Sequence, residues 1–298
     1  MNSISKNRIL APMNLLYKIS PQLNLKILFK IKLGYALNLV NPVTYNEKLQ
    51  WIKLYEKNKL MPICCDKYLV RKFIESAGCG EILNELYWEG FDPAEIPFDT
   101  LPDTFVIKVT HGSTFNIICK NKQELNREKT VATLNRWLKA KFLPCYGEWF
   151  YGVEKPRVVV EKYLIDTKLN ALYDYKIFCF HGEPRVIGVK IKRADDTIFN
   201  FYDPCFNILP DAKMVYNNDV MMSNEKPDNF EEMLDYARIL SQNFLHVRVD
   251  LYDVNGKVIF GELTFTQGAG LSNIPRSFDM ELGSWLKLPD MTEFINRL

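Results

Sequence analysis

The chain has 298 residues, 47% of them hydrophobic and 25% charged, with a formal net charge of +2. That is the length and composition of a soluble globular protein with a sizeable core, in one large domain or two ordinary ones. The absence of a low-complexity tract or a repeat at fixed period excludes fibrous and solenoid architectures, and no nucleic-acid partner is expected.

Residues 1–46 carry Lys6, Arg8, Lys18, Lys26, Lys30 and Lys32 but neither Asp nor Glu, so the remainder is net acidic. The lysines interrupt every apolar run well short of the ~20 residues that span a bilayer. A continuous hydrophobic region and a small-residue cleavage site are also missing, so no signal peptide is expected. Two readings stay open for "LNLKILFKIKLG": a helix packed on the core with a solvated basic face, or a segment resting on anionic lipid. Residues 1–63 are read as a basic, helical N-terminal segment.

A clear helix begins at Thr44, where Thr44 and Glu47 form a capping box and Leu49, Ile52 and Tyr55 follow at helical spacing. A second runs through "DKYLVRKFIESAGCG", capped by Asp66 and stopped by Gly78 and Gly80. "LPDTFVIKVTHGSTFNIICKN" reads as two strands joined by a tight polar turn, and residues 128–141 as a third helix. Beyond Gly147, strands dominate: "RVVVEKYL", "LYDYKIFCF", "RVIGVKIKR" and "TIFNFYD", with "HGEP" as a hairpin turn. A fourth helix, "DNFEEMLDYARILSQNF", takes Asp228 as its cap and turns Phe230, Met233, Leu234, Ala237 and Leu240 inward. Strands "HVRVDLYDV" and "KVIFGELTFT" follow, joined by "NG", then a short helix near 280–286. Hairpins and separate helices without regular βαβ units predict an α+β fold and exclude a doubly wound sheet. Seven cysteines without a CxxC pair, and three histidines, give no zinc spacing and point to the reducing cytoplasm.

Three stretches carry the candidate chemistry. In the last hairpin, period-2 geometry puts Arg248 with Asp250 on one face, and Glu262 with Thr264 on one face of the returning strand. Two carboxylates, a hydroxyl and an arginine facing one space would suit Mg²⁺ and phosphate, or else simply a polar hairpin facing water. In "FVIKVTHGSTFNIICK", Lys108 precedes a turn of small and hydroxyl residues whose N–H groups could close on phosphate oxygens; an ordinary hairpin turn would look similar. In "RVVVEKYLIDT", a valine run ends in Glu161, Lys162, Tyr163 and Leu164, either a strand end or a hinge offering its backbone to an adenine edge.

The order of these pieces, from "NPVTYNEKLQWIKLYEKN" through "DYKIFCFHGEP" to "VRVDLYD…FGELTFTQGAG", resembles the ATP-grasp superfamily, and more narrowly the TupA-like ATP-grasp proteins of bacterial polysaccharide gene clusters. The resemblance implies two α+β lobes sandwiching ATP within residues 64–298, the first about 104–164 and the second, with the metal site, about 165–298. It implies that Lys108 holds the phosphates, and that His111, Gly112, Ser113, Thr114 and Asn116 cover them. Glu161, Lys162, Tyr163 and Leu164 would line the adenine hinge. Asp174 would meet the ribose, and Lys176 and Arg193 the phosphates. Asp250 and Glu262 would hold Mg²⁺, with Arg248 steadying the phosphorylated intermediate. Thr264 stands where many superfamily members have Asn, a weaker third ligand, and Gln267 where they have Pro.

The implied activity is ATP-dependent carboxylate–amine ligation through an acyl phosphate. The implied substrates are the carboxylate of a uronic acid in a nucleotide sugar or glycan, and an amine such as an amino acid. A sugar kinase would keep the same ATP site. A glycosyltransferase commonly needs a D-x-D, which the sequence lacks, and the Asp250/Glu262 pair argues against a non-catalytic binding protein. The expected place is the cytoplasm, or its membrane face should residues 1–46 touch lipid.

Overall fold

The computed structural model describes residues 9–112, 114–166, 172–192, 197–210, 212 and 225–290. Two antiparallel sheets share out the strands. The first has the order β1 (Leu86–Gly90), β4 (Val158–Lys162), β2 (Phe105–Val109) and β3 (Asn116–Cys119). The second has the order β7 (Thr197–Tyr202), β6 (Glu183–Lys192), β5 (Leu172–Phe180), β8 (His246–Val254) and β9 (Lys257–Thr264). The fold is α+β, as expected.

Each sheet buries one face because its strands alternate. In the first, Phe105, Ile107, Val109, Val158 and Val160 form a core with Leu134 of α6 (Arg127–Leu138). In the second, Ile177, Cys179, Val247, Val249 and Leu251 pack with Phe230, Met233, Leu234, Ala237 and Leu240 of α7 (Phe230–Ser241), the inward set read from the helical period. The opposite face of β5, β8 and β9 carries Lys176, Arg248, Asp250, Glu262 and Thr264 beside Phe178, and that face holds the site.

The N-terminal third is helical: α1 (Ala11–Ile19), α2 (Pro21–Leu33), α3 (Tyr45–Tyr55), α4 (Leu60–Cys65) and α5 (Val70–Ser76); α8 (Arg276–Trp285) follows the last strand. The Thr44/Glu47 capping box is present at α3, whose Tyr45, Leu49 and Ile52 join the core of the second sheet. Asp66 accepts the N–H groups of Tyr68 and Leu69, both at 2.9 Å, but the α-helix itself starts only at Val70. At α7 the N-cap is Asn229 rather than Asp228, and it makes no side-chain capping bond. Strand β1 had no sequence signal: it is an edge strand whose residues are all half-buried, so no alternation is written into it.

In α2 one face buries Leu25, Leu28 and Phe29, while Leu23 and Ile31 are exposed beside Lys26, Lys30 and Lys32. Packing on the core therefore leaves a basic and apolar face outward. Among the described residues no helix is long and apolar enough to cross a membrane. All seven cysteines are free thiols, five of them buried.

Candidate active site

Three strands lay the charged residues in rows. Lys176 on β5 lies opposite Asp250 on β8, which lies opposite Glu262 on β9; in the next row Phe178, Arg248 and Thr264 are aligned. This alignment depends on a bulge. The turn at Asn255 and Gly256, both at positive φ, pairs Val254 with Lys257 and would carry a simple register to Asp250 opposite Gly261. The register shifts between Asp250 and Leu251, so Glu262 takes the place opposite Asp250. The phase of burial flips with it: Val258 and Phe260 are buried before the bulge, Leu263 after it. Gly261 makes this possible, since a Cβ there would sit 2.9 Å from the Asp250 carbonyl oxygen and 3.0 Å from the Tyr252 ring.

Arg248 ties the face together. Its Nε and Nη2 donate to the two Asp250 oxygens at 2.5 and 2.7 Å, and Nη2 also donates to Glu262 Oε1 and Thr264 Oγ1, each at 3.1 Å. Lys176 Nζ reaches Asp250 Oδ2 at 2.5 Å and Asp174 Oδ2 at 2.8 Å. Burial alone would push the Asp250 carboxyl up, but Arg248 and Lys176 outweigh it and hold it below the usual range. Asp174, buried and facing one cation, is pushed up. Burial would lower Lys176, but Asp250 and Asp174 together outweigh it and raise the ammonium. The carboxylates thus differ in exposure: the Asp250 side chain is 2% exposed and that of Glu262 45%.

On the first sheet, Lys108 Nζ donates to Glu161 Oε2 at 2.6 Å, and Arg71 lies 3.8 Å from the other Glu161 oxygen. Glu161 is therefore a buried anchor for two cations. The N–H of Lys162 donates to the Glu85 carbonyl, and its carbonyl accepts from Asn84 Nδ2, both at 3.0 Å, so the Lys162 backbone is already engaged. Tyr163 and Leu164 follow it, half-buried. Asn116 stands opposite Lys108 across the β2–β3 pair. Between those strands His111 is buried with Nε2 against the Ala140 carbonyl at 2.8 Å, and Gly112 and Thr114 both have positive φ. Ser113 and Arg193 lie outside the described residues.

Lys67, which the sequence reading did not single out, joins the two sheets. Its Nζ donates to the Gly112 carbonyl at 2.9 Å, and it lies close enough to Glu262 and Lys108 to feel both charges. Burial pushes its ammonium down, with Glu262 opposing. Lys67 and Arg71 follow the Asp66 cap within five residues, two cations whose closeness in sequence was the available signal.

The donor set suits a hard cation: Asp250, Glu262 and Thr264 offer carboxylate and hydroxyl oxygens. Asp174 Oδ1 is buried with no hydrogen-bond partner among the described residues, an acceptor that suits a sugar hydroxyl. Among the described residues no three His, Cys, Asp or Glu side chains are already grouped as a metal site, because Arg248 and Lys176 stand between the carboxylates. The residues fit Mg²⁺ and a nucleotide by chemistry, with protein cations neutralising the cluster.

The two antiparallel sheets are those of an ATP-grasp protein. The chain belongs to the TupA-like ATP-grasp family, whose model matches residues 47–287. Among solved structures it is similar to the D-alanine–D-alanine ligase from Bacillus anthracis complexed with ATP, at 16% identity over 68% of this chain and 55% of that one, with a TM-score of 0.42. It is also similar to the corresponding ligase from Helicobacter pylori, at 16% identity, 81% and 69% coverage and a TM-score of 0.44. For the L-amino acid ligase from Bacillus licheniformis the figures are 15% identity, 77% and 51% coverage, and a TM-score of 0.47. The chain spans about half the length of the first and last of these. No curated protein matches it significantly.

Proposed function

We propose that the chain is an ATP-dependent carboxylate–amine ligase that makes an amide through an acyl phosphate. The observation that carries this reading is the cross-strand row of Lys176, Asp250 and Glu262 with Arg248 bridging the carboxylates, joined through Lys67 to Lys108. Lys108, Lys67 and Lys176 bring fixed positive charge to phosphate oxygens, and Asp174 takes a ribose hydroxyl. Asp250 and Glu262, helped by Thr264, hold Mg²⁺, which supplies Lewis-acid charge to the phosphoryl oxygens when bound. The substrate carboxylate attacks the γ-phosphorus and the bond to the ADP oxygen breaks. An amine then attacks the acyl carbon and phosphate leaves with the C–O electron pair. Arg248, fixed by four acceptor oxygens on three residues, needs no reorganisation to face the charge that develops.

The acid is assigned to a uronic acid of surface polysaccharide and the amine to an amino acid, on the family resemblance. The division into a segment 1–63 and a core 64–298 belongs to the same reading. Hydroxylamine in place of the amine tests the chemistry. With Mg-ATP and candidate uronic acids, ADP and a hydroxamate are expected; ADP with a stable sugar phosphate would make the protein a kinase, and AMP would contradict both.

We also place residues 1–46 against anionic lipid at the cytoplasmic face. Ile9, Leu15, Ile19, Leu23, Ile31, Val40 and Val43 are all exposed, seven of the twelve exposed large hydrophobic residues described, in a segment without acidic residues. Cosedimentation with phosphatidylserine vesicles at low salt, weakening as salt rises, is expected. No cosedimentation at any ionic strength would refute it.

A further inference from the structure

A cavity of about 650 Å³ shares two walls with the site. His111 lines it, while the carbonyl of the next residue, Gly112, accepts from Lys67. Tyr151 lines it too, and lies close enough to Glu262 and Arg248 to feel both charges. The remaining walls are largely apolar: Leu143, Trp149, and Phe142 stacked on Tyr151 with ring centroids 4.3 Å apart. Such a lining with few polar groups is what a small-molecule pocket needs.

Of the lining residues Glu148 is the one acid, and the ligase chemistry above leaves it unused. Its Oε1 accepts from Thr266 Oγ1 at 2.5 Å, two residues beyond Thr264 on the chain leaving β9; among the described residues no protein donor is recorded on Oε2. Lys53, buried nearby, directs its ammonium to the carbonyls of Tyr146 and Ala269, both at 2.7 Å, rather than to Glu148. Lys139 and Lys141 also line the cavity, but they are exposed and their charges are screened by water. Glu148 is half-buried, and a carboxylate with one oxygen bonded and the other open to the cavity can accept an N–H donor.

We propose that this cavity is the pocket for the amine half of the ligase reaction, that it takes a primary amine on an apolar or aromatic body, and that Glu148 receives the amine's N–H. The proposal rests on the ligase reading. Glu148 takes one proton from the ammonium, freeing the lone pair that attacks the acyl carbon. The C–N bond forms, the C–O bond to phosphate breaks, and the second N–H proton leaves with the phosphate as hydrogen phosphate. Burial raises the Glu148 carboxyl, which suits a group that must accept a proton.

The test titrates the full chain with phenethylamine and with its neutral isostere 2-phenylethanol, following tryptophan indole N–H shifts by NMR, with ATP affinity measured alongside. The amine should bind at least about tenfold more tightly than the alcohol. Glu148→Gln should bring the two within about twofold while ATP affinity stays the same. Should that variant unfold, Leu143→Trp fills the cavity from another wall and should weaken both probes by about tenfold or more, again with ATP affinity unchanged. Equal binding of the two probes, no binding of either, a preference retained in Glu148→Gln, or probes indifferent to Leu143→Trp would each overturn the pocket. If ATP binds in those cases, the ligase reading survives; if ATP does not bind wild type, that reading falls and the pocket's role with it.

Discussion

Asp250 and Glu262 are proposed to hold the same ion, yet the structure predicts that neutralising them has different consequences for stability. Asp250→Asn removes a charge from a side chain only 2% exposed that faces Arg248 at 2.5 and 2.7 Å and Lys176 at 2.5 Å. Breaking a buried pair from one side costs roughly 3–5 kcal/mol, because the other charge stays buried. Here Asp174 still sits 2.8 Å from Lys176 and Glu262 3.1 Å from Arg248, which places the expected loss at the low end, about 3 kcal/mol. Glu262→Gln alters a side chain 45% exposed, with Arg248 keeping its bonds to Asp250, so its cost is below about 1 kcal/mol. Urea unfolding followed by tryptophan fluorescence measures both, and Mg²⁺-dependent ATP turnover should disappear in both. Equal stabilities would show that Asp250 does not hold the cations in place. Full turnover with unchanged Mg²⁺ dependence in either variant would remove the metal assignment.

Lys108→Ala should weaken ATP binding by ~1.5–3 kcal/mol in calorimetry, the worth of a charge-assisted hydrogen bond; an unchanged affinity would reduce the lysine to a structural partner of Glu161. Gly261→Val should cost about 1–3 kcal/mol and depress turnover together, since the side chain has no room in the bulge; a variant with normal turnover would mean that the row tolerates a slipped register. Burial holds the His246 ring neutral, with its pKa lowered to about 3. The unfolded chain takes that proton first, near pH 6.5, so this contribution is whole above 6.5 and is lost as pH falls toward 3. Urea midpoints from pH 7 to 4 should therefore fall less steeply in His246→Gln than in wild type, and parallel slopes would contradict the assignment.

Local signals with a direct physical cause were legible in the sequence. The Thr44/Glu47 box, the turns at Asn255–Gly256 and His181–Gly182, and the inward face of α7 each follow from a rule acting over a few residues. The site residues on β8 and β9 were legible as types in a pattern, each pair on one face of its own strand, whereas Asp174 and Lys176 on β5 came from the family resemblance alone. That the pairs share one face and line up across the strands was not. One inserted residue at Gly261 decides whether Glu262 meets Asp250 or Val249, and period-2 reading alone places no bulge. Lys67 and Lys53 were missed for a related reason: their partners are the carbonyls of Gly112, Tyr146 and Ala269, distant backbone atoms that no local pattern announces. The same holds for the β1 edge, whose pairing with β4 joins segments about seventy residues apart.

Helix α3, early in the chain, closes against α8, near its other end. The Asn46 N–H donates to Asp279 Oδ1 at 2.9 Å, and Lys48 Nζ donates to the carbonyls of Gly283 and Leu286, both at 2.8 Å. The fit is close enough that a Cβ on Gly283 would lie 2.2 Å from the Val43 carbonyl oxygen. During synthesis α3 leaves the ribosome long before its partner exists, and at ~5–20 residues per second the wait is on the order of ten seconds or more. Through that interval Asn46 lacks Asp279 and Lys48 lacks the carbonyls of Gly283 and Leu286, so the α3 surface that meets α8 stays open. That surface of the fold is thus completed only when the last helix has been made. A chain cut short before α8 leaves that α3 surface uncovered.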